Sequence, residues 1–389
     1  MMSGTLLDRS PGWIAGGAPE GGEVVLALAT LVRNLADYPF PGRCTTDERH
    51  AAVDRVVHAL EQTGLTSGGR YFALEEFDAH ELRFLVERRL ITRDLFTAPN
   101  PKGAFIAEDQ ALSIMVNGND HLCLRVQCAG LQLQEAWSRL NLIDDALAST
   151  VDFAFNPARG YLTSDLAHVG TGLKLSLWLH LPALASAGEL VQQADRLQRQ
   201  HVDLHGIKAG AGGVSEPPVR PSGPLVTGVR GESRVNQSLC SDVEGACGGG
   251  LHEALGDLYL LSNACTLGIS EEESLFNVRH SALELVAAER NARNRMMETG
   301  ALGVEDRVGR ALGIATSARL ISFTEGITLL SSLRLGVALG LLPGISYEVL
   351  NELLLSTQGA HLERTLGEQV DTMSLNQARA DLFRTTLTS

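Results

Sequence analysis

Residues 173–181 alternate almost without exception. Leu173, Leu175, Leu177, Leu179 and Leu181 fall on one side of an extended chain, and Lys174, Ser176, Trp178 and His180 on the other. The pattern predicts a strand with one face in a core and the other on a cleft or solvent. Residues 112–127 predict a hairpin, with the Asn117-Gly118 signal read as a type I′ turn. In its second strand Leu122, Leu124 and Val126 share one face, and His121, Cys123, Arg125 and Gln127 the other. Helical spacing covers 47–63 and 76–91. After residue 250 the pattern is almost wholly helical. Ser270 followed by three glutamates predicts a capped helix start, and that helix runs to about Met296, where Arg290, Arg293 and Arg295 match the negative end of its dipole. Further helices are predicted at 304–313, 324–339, 346–356 and 374–386.

Residues 206–250 interrupt this order. The run from Gly206 through Gly213, the pair Pro217-Pro218 and the triplet ending at Gly250 predict a long, mobile loop rather than a folded element. The loop lies within a mixed α+β part, 1–268, which precedes a helical part, 269–389. A length of 389 residues suits two such domains.

Charge and cysteine usage narrow the classes. The net charge of −14 makes the chain a poor binder of nucleic acid or anionic membrane. The apolar runs 173–187 and 326–343 are broken by Lys174 and His180 and by Arg334, so neither predicts a membrane span. No signal-peptide pattern opens the chain. Six cysteines, at 44, 123, 128, 240, 247 and 265, form no CxxC pair and predict reduced thiols, with neither a disulfide framework nor a zinc site. The expectation is a soluble, cytoplasmic protein.

Several strings, taken in order and spacing, resemble the ATP:guanido phosphotransferases, and among them the bacterial protein-arginine kinases. They include Val32-Arg-Asn-Leu-Ala-Asp-Tyr-Pro-Phe-Pro-Gly-Arg43, Glu87-Arg-Arg-Leu-Ile-Thr92, Val116-Asn-Gly-Asn-Asp-His-Leu122, Val169-Gly-Thr-Gly-Leu173 and Thr266-Leu-Gly-Ile-Ser-Glu-Glu272. The likeness runs from about Trp13 to Arg384, outside the 206–250 stretch. It implies an antiparallel sheet flanked by helices, then a helical domain that mediates dimer formation. It also implies transfer of the γ-phosphoryl of ATP to a guanidinium nitrogen, with Mg²⁺ and arginines holding the phosphates and carboxylates handling the guanidinium.

At the positions that the resemblance assigns to this chemistry, most residue types differ. Leu28 and Thr30 stand where two phosphate-holding arginines belong, and Cys123 where a third does. Asn119 replaces the catalytic glutamate beside Asp120, and Asp165 replaces the active-site cysteine. Lys174 replaces a further phosphate arginine on the strand that carries Ser176 and Trp178. Arg89 replaces the adenine-side histidine. Arg230, with Glu232 or Glu244, falls where an Arg-Gly-x-x-Gly-Glu motif should lie. In the helical half, Asn376 replaces the acid of an allosteric phosphoarginine motif of which only Arg379-Ala380 survives.

Each substitution also has a plainer reading. Cys123 reads as a small buried residue, Arg125 as an ion-paired or partly compensating charge, and Lys174 as a remaining anion contact or a surface cation. Asp165 either grips a guanidinium or sits in solvent. Gly170-Thr-Gly172 alone only turns the chain. Loss of one well-placed transition-state donor costs about 3 kcal/mol. Three missing arginines and one missing carboxylate therefore imply a fall of ~10⁴ or more in rate.

The expectation is a pseudokinase that acts by binding, with protein arginine side chains or an active kinase paralogue as partner, in a homo- or heterodimer. Two alternatives stand beside it. One is a working kinase with an altered site, using ATP and Mg²⁺ with Lys174, Arg125, Arg230 and Glu232 or Glu244. The other is a guanidine-binding protein using Asp165 and Asp120.

Overall fold

A computed structural model describes residues 9–14, 17–211, 237–240, 250–367 and 370–388. Its centre is an eight-stranded sheet built from β1 (Val24–Arg33), β2 (Gly69–Ala73), β3 (Gly103–Ala107), β4 (Leu112–Val116) and β5 (Leu122–Ala129). Two two-residue strands, β6 (Phe155–Asn156) and β7 (Gly160–Tyr161), pair apart from it. After them come β8 (Leu173–His180), β9 (Val202–Gly206), a separate pair β10 (Lys208–Ala211) and β11 (Gln237–Cys240), and finally β12 (Leu258–Asn263). The order across the sheet is β2-β3-β4-β5-β1-β8-β12-β9, and every neighbouring pair is antiparallel.

The first half contributes helices α1 (Thr46–Gln62), α2 (Ala79–Glu87), α3 (Arg93–Thr97), α4 (Leu133–Ala148), α5 (Pro182–Ala187) and α6 (Leu190–Gln198). The second half contributes α7 (Glu271–Ser317), α8 (Phe323–Ala338), α9 (Tyr347–Ser356), α10 (Gly359–Leu366) and α11 (Thr372–Thr388).

Two apolar layers sandwich the sheet. On one face Ala27, Ala29 and Leu31 of β1 and Leu175 and Leu177 of β8 pack with residues of α1, α4 and the first half of α7. On the other, Leu26, Leu28 and Trp178 join Ile327, Leu330 and Leu333 of α8, Leu350 and Leu354 of α9 and Phe383 of α11. Central β1 is therefore buried along its whole length, which is why it reads as a continuous apolar run rather than an alternating one.

The same burial corrects the expectation for β8. Trp178 and His180 face neither cleft nor solvent: both are buried beneath the C-terminal helices, and His180 Nε2 lies 3.0 Å from Ser331 Oγ on α8. A covering layer formed 150 residues downstream leaves no trace in local alternation.

Other expectations shift in identifiable ways. The β4–β5 connection is a five-residue loop, 117–121, closed by the Asn117 N–H to His121 O at 3.0 Å, and is no two-residue type I′ turn. Asn117 takes the left-handed conformation, φ 61°, but its side chain is pulled inward to Arg49 O and Pro101 O.

The helix expected at 76–91 is Ala79–Glu87, with Asp78 and Glu81 forming a capping box and Arg89 at φ 60° ending it. The helix from Ser270 does not stop near Met296. It continues to Ser317 across a kink at Gly300 and absorbs the segment expected at 304–313. Arg290, Arg293 and Arg295 are thus mid-helix, and they pair with acids before β1 and α6 and, for Arg293, with Glu289 of the same helix. Arg293 meets Glu23 at 2.7 Å and Glu289 at 2.9 Å, Arg290 meets Glu23 at 3.0 Å and also Glu20, and Arg295 meets Glu189 at 2.6 Å. Helix α10 had no sequence signal, because Glu87 of another element caps it: its carboxylate accepts from Ala360 N at 2.9 Å and His361 N at 3.1 Å.

Within 206–250, Lys208 pairs opposite Cys240 and Ala211 opposite Gln237. Strand pairing satisfies backbone groups and needs no apolar pattern, so glycine-rich composition concealed it. The remainder of that stretch, including Arg230, Glu232 and Glu244, lies outside the described residues.

Candidate functional site

Three segments meet beside the sheet: the 117–121 loop, the start of α3, and the chain at 163–168. Their polar groups fasten them together. Asp120 accepts from Asn34 Nδ2 at 2.5 Å and from the Ser164 N–H at 2.7 Å. The Asn119 N–H donates to Asp94 Oδ2 at 3.1 Å, and Ser164 Oγ donates to Asn119 O at 2.6 Å. Asp165 caps the short turn Leu166–His168 by accepting from the Ala167 N–H at 2.9 Å.

These segments enclose a cavity of about 490 Å³. Asp94, Asp120 and Asp165 line it together with Asn119, Cys123 and His168, and among the described residues no lysine or arginine lines it. Burial pushes the Asp120 carboxyl above its ordinary value, although the Asn34 and Ser164 hydrogen bonds oppose the shift. Burial also lowers His168, against the pull of the three aspartates. A second hollow of about 940 Å³ shares Asp94, Gly118, Asn119 and Ser164 and reaches Arg43 and Arg49. Arg49 is committed to the carbonyls of Pro41 and Pro99.

The loop behind Asp165 is shaped by Gly170, at φ 118°, and Gly172, at φ 68°. A Cβ on Gly170 would strike the Thr266 carbonyl, and one on Gly172 would lie 2.6 Å from both Val32 O and the Arg33 guanidinium. The triplet therefore does more than turn the chain: it permits a close approach of three strands' ends. Arg33 is locked there by Asp144 at 2.7 Å and Thr171 O at 2.8 Å, with its guanidinium 3.5 Å from the centre of the Tyr161 ring.

Positions that the resemblance assigned to nucleotide share the sheet face next to this cavity, in cross-strand rows. Thr30 lies between Arg125 and Lys174, and Leu28 between Gln127 and Ser176. Thr30 and Ser176 are buried, and Leu28 belongs to the apolar cluster containing Trp13 and Trp178. The cations of these two rows are Arg125 and Lys174. Arg125 Nε donates to Thr30 Oγ1 at 3.4 Å, and Lys174 Nζ donates to Asn263 O at 2.5 Å. Arg89 stacks on Trp178 and lies within 5.4 Å of the Trp13 ring centre.

The structure thus brings Asn119, Asp120, Asp165 and Cys123 together and leaves Leu28 and Trp178 in a core. Asn376 and Arg379 are elsewhere: Arg379 is buried on Thr357 O, Ile321 O and Asn376 Oδ1, each at 2.9 Å, and burial brings its guanidinium down to about 10. Asp94 and His168 were missed in the sequence. Asp94 sits two residues after Thr92, the α3 cap, and His168 three after Asp165; neither spacing carries a metal or acid–base signature.

Comparisons with known proteins agree with this layout. Residues 51–215 match the family described as ATP:guanido phosphotransferase, C-terminal catalytic domain, and residues 301–389 match the C-terminal domain of protein-arginine kinase McsB. The protein-arginine kinase of Symbiobacterium thermophilum is 36% identical over 380 residues, 97% of this chain and 96% of that one. That of Halalkalibacterium halodurans is 34% identical over 378 residues, 96% and 94% of the two chains. Among solved structures, lombricine kinase aligns with a TM-score of 0.53 at 17% identity, over 74% of this chain and 70% of its own. The substrate-free duplicated taurocyamine kinase of Schistosoma mansoni gives 0.53 at 18%, over 81% and 42%. The antiparallel sheet, its flanking helices and the helical C-terminal region are those of the guanido kinase fold.

Proposed function

Because the chain belongs to the protein-arginine kinases of the ATP:guanido phosphotransferase family, we propose that it is a degenerate member that holds an arginine side chain and does not phosphorylate it. The observation that carries this reading is the sign of the cavity: among the described residues, three aspartates and no lysine or arginine line it. A guanidinium presents five N–H donors in a plane and suits a wall of carboxylates. A charge pair 4 Å apart near a protein surface is worth on the order of 4 kcal/mol. The same arithmetic repels a triphosphate.

On this reading Mg·ATP does not suit the residues described. Two phosphate-holding positions, Leu28 and Thr30, are buried and uncharged, and the cations left in their rows already donate within the protein. Asn119 has no basic oxygen with which to take a proton from guanidinium. The C-terminal helices 269–389 serve this reading as a covering domain that closes the sheet face.

Calorimetry with an N-acetyl-arginine amide and with Mg·ATP, followed by a phosphoarginine assay on casein, tests the reading. It expects arginine-dependent binding, no saturation by Mg·ATP below the millimolar range, and no phosphoarginine above background. Turnover above background, or micromolar affinity for Mg·ATP, overturns it.

A further inference from the structure

Another cavity, of about 480 Å³, lies where the first half of the chain meets α7, and it shares no lining residue with the two hollows described above. Helix α5, the turn at Gly188 and the start of α6 form one side of it. The stretch from Leu251 to Tyr259 forms another, and Arg307 of α7 closes it. Pro182, Leu190 and Leu251 give it an apolar wall, while Ser186 and the exposed His252 lie among its polar groups.

Three of the lining groups carry unused hydrogen-bonding capacity. Tyr259 is 2% exposed with its ring in the core, yet among the described residues its hydroxyl has no hydrogen-bond partner. A buried phenol ordinarily finds one. Burial, with the charges of Asp257 and Glu289, raises its pKa, so it remains a protonated donor. Arg307 gives Nε to Ser332 Oγ at 3.1 Å and Nη2 to Asp257 Oδ2 at 3.2 Å, which leaves Nη1 without a partner among the described residues. Asp257 Oδ2 also accepts from Ser331 Oγ at 2.8 Å, which leaves Oδ1 in the same condition. The backbone holds Asp257 in the left-handed region, φ 53°. Strain beneath a side chain that faces a cavity points to a use for that side chain.

We propose that this cavity binds a free α-amino acid with a large apolar side chain. The carboxylate lies on Arg307 Nη1 and the Tyr259 hydroxyl, the ammonium on Asp257 Oδ1, and the side chain against Pro182, Leu190 and Leu251. The charges commit the site to a zwitterion. Arg307 and Asp257 already balance each other, so a ligand with one net charge meets a like charge, whereas a zwitterion satisfies both. A planar guanidinium beside a hydroxyl suits the two oxygens of a carboxylate. Arg307 belongs to α7 and Tyr259 to the sheet, so the ligand ties the helical half to the first half and should raise the melting temperature. The site stands apart from the acidic cavity and does not depend on the arginine reading.

Calorimetry on the full chain with phenylalanine, N-acetyl-phenylalanine, phenylalanine amide and glutamate tests the proposal. Phenylalanine should bind saturably. Each blocked form loses one charge-assisted contact and should bind about 10-fold more weakly, and glutamate, which lacks the apolar side chain, should do no better. Tyr259→Phe keeps the ring and removes only the hydroxyl, and Arg307→Lys keeps the charge and removes the fork. Either should weaken phenylalanine about 10-fold in a protein that circular dichroism finds folded. No saturable heat from phenylalanine overturns the proposal, and so do blocked forms or glutamate that bind as tightly. Phenylalanine affinity unchanged in Tyr259→Phe or in Arg307→Lys puts the amino acid elsewhere and overturns the site.

Discussion

The guanidinium of Arg89, at the end of α2, lies 3.8 Å from the centre of the Trp178 ring in the middle of β8. Desolvated cation–π contacts of this kind contribute on the order of 2 kcal/mol, and this one joins two positions that the family likeness gives to nucleotide. The protein has turned them toward each other. Mg·ATP titrated calorimetrically should therefore show no saturation below the millimolar range. Trp178→Ala should lower the melting temperature and leave nucleotide affinity no better.

Reintroducing the missing arginines should separate the positions. Leu28 is buried in the cluster beneath α8 and α9, so Leu28→Arg buries an unpaired charge and should cost about 3 kcal/mol in denaturant titrations. Cys123 is half-buried at the cavity wall, and Cys123→Arg should cost less than about 1 kcal/mol. Equal costs would mean that the helical layer does not seal Leu28.

Much of this architecture could be read directly from the chain, and the misses share a cause. Alternation in β8, the Ser270 cap at the start of α7, and the order of short motifs all depend on neighbours within a few residues. The burial of His180 against Ser331, the capping of α10 by Glu87 and the pairing of Arg293 with Glu23 depend on groups 151 to 273 residues away. The site divides the same way. Asn119, Asp120 and Asp165 were found because they lie in motif strings, whereas Asp94 joins them only through the fold.

Acid should weaken the protein through its buried histidines. Burial lowers His121 to about 4 from an ordinary 6.5, and also lowers His168, His180 and His361. Such groups are neutral when folded and take up protons when unfolded. The stability they contribute is present above pH 6.5 and is lost as pH falls through the folded values. His121 alone accounts for about 3 kcal/mol between pH 6.5 and 4. Asp120 and Glu289, raised by burial, act in the opposite sense. Urea titrations at pH 7 and pH 5 should show the fall, and His121→Gln should flatten it. An unchanged slope in that variant would remove His121 as its source.

Glu87 binds α2 to α10 through two backbone N–H groups and His361 Nδ1 at 2.8 Å. Glu87→Ala removes all three acceptor contacts and should cost about 3 kcal/mol; Glu87→Gln, which keeps one acceptor oxygen, should cost about half. Hydrogen exchange should locate the loss first in 359–366. Uniform exchange across the chain would argue against a local tether.

Glu23, at the threshold of the central strand, is buried, and its carboxylate is met by Arg290 and Arg293. Those partners leave the ribosome about 270 residues later, at 5–20 residues per second roughly 15 to 50 s after Glu23 itself. Until then the start of β1 cannot be buried without stranding the Glu23 charge. A fragment that stops before α7 should therefore leave the Glu23 carboxylate unpaired and the start of β1 the least stable part of its sheet.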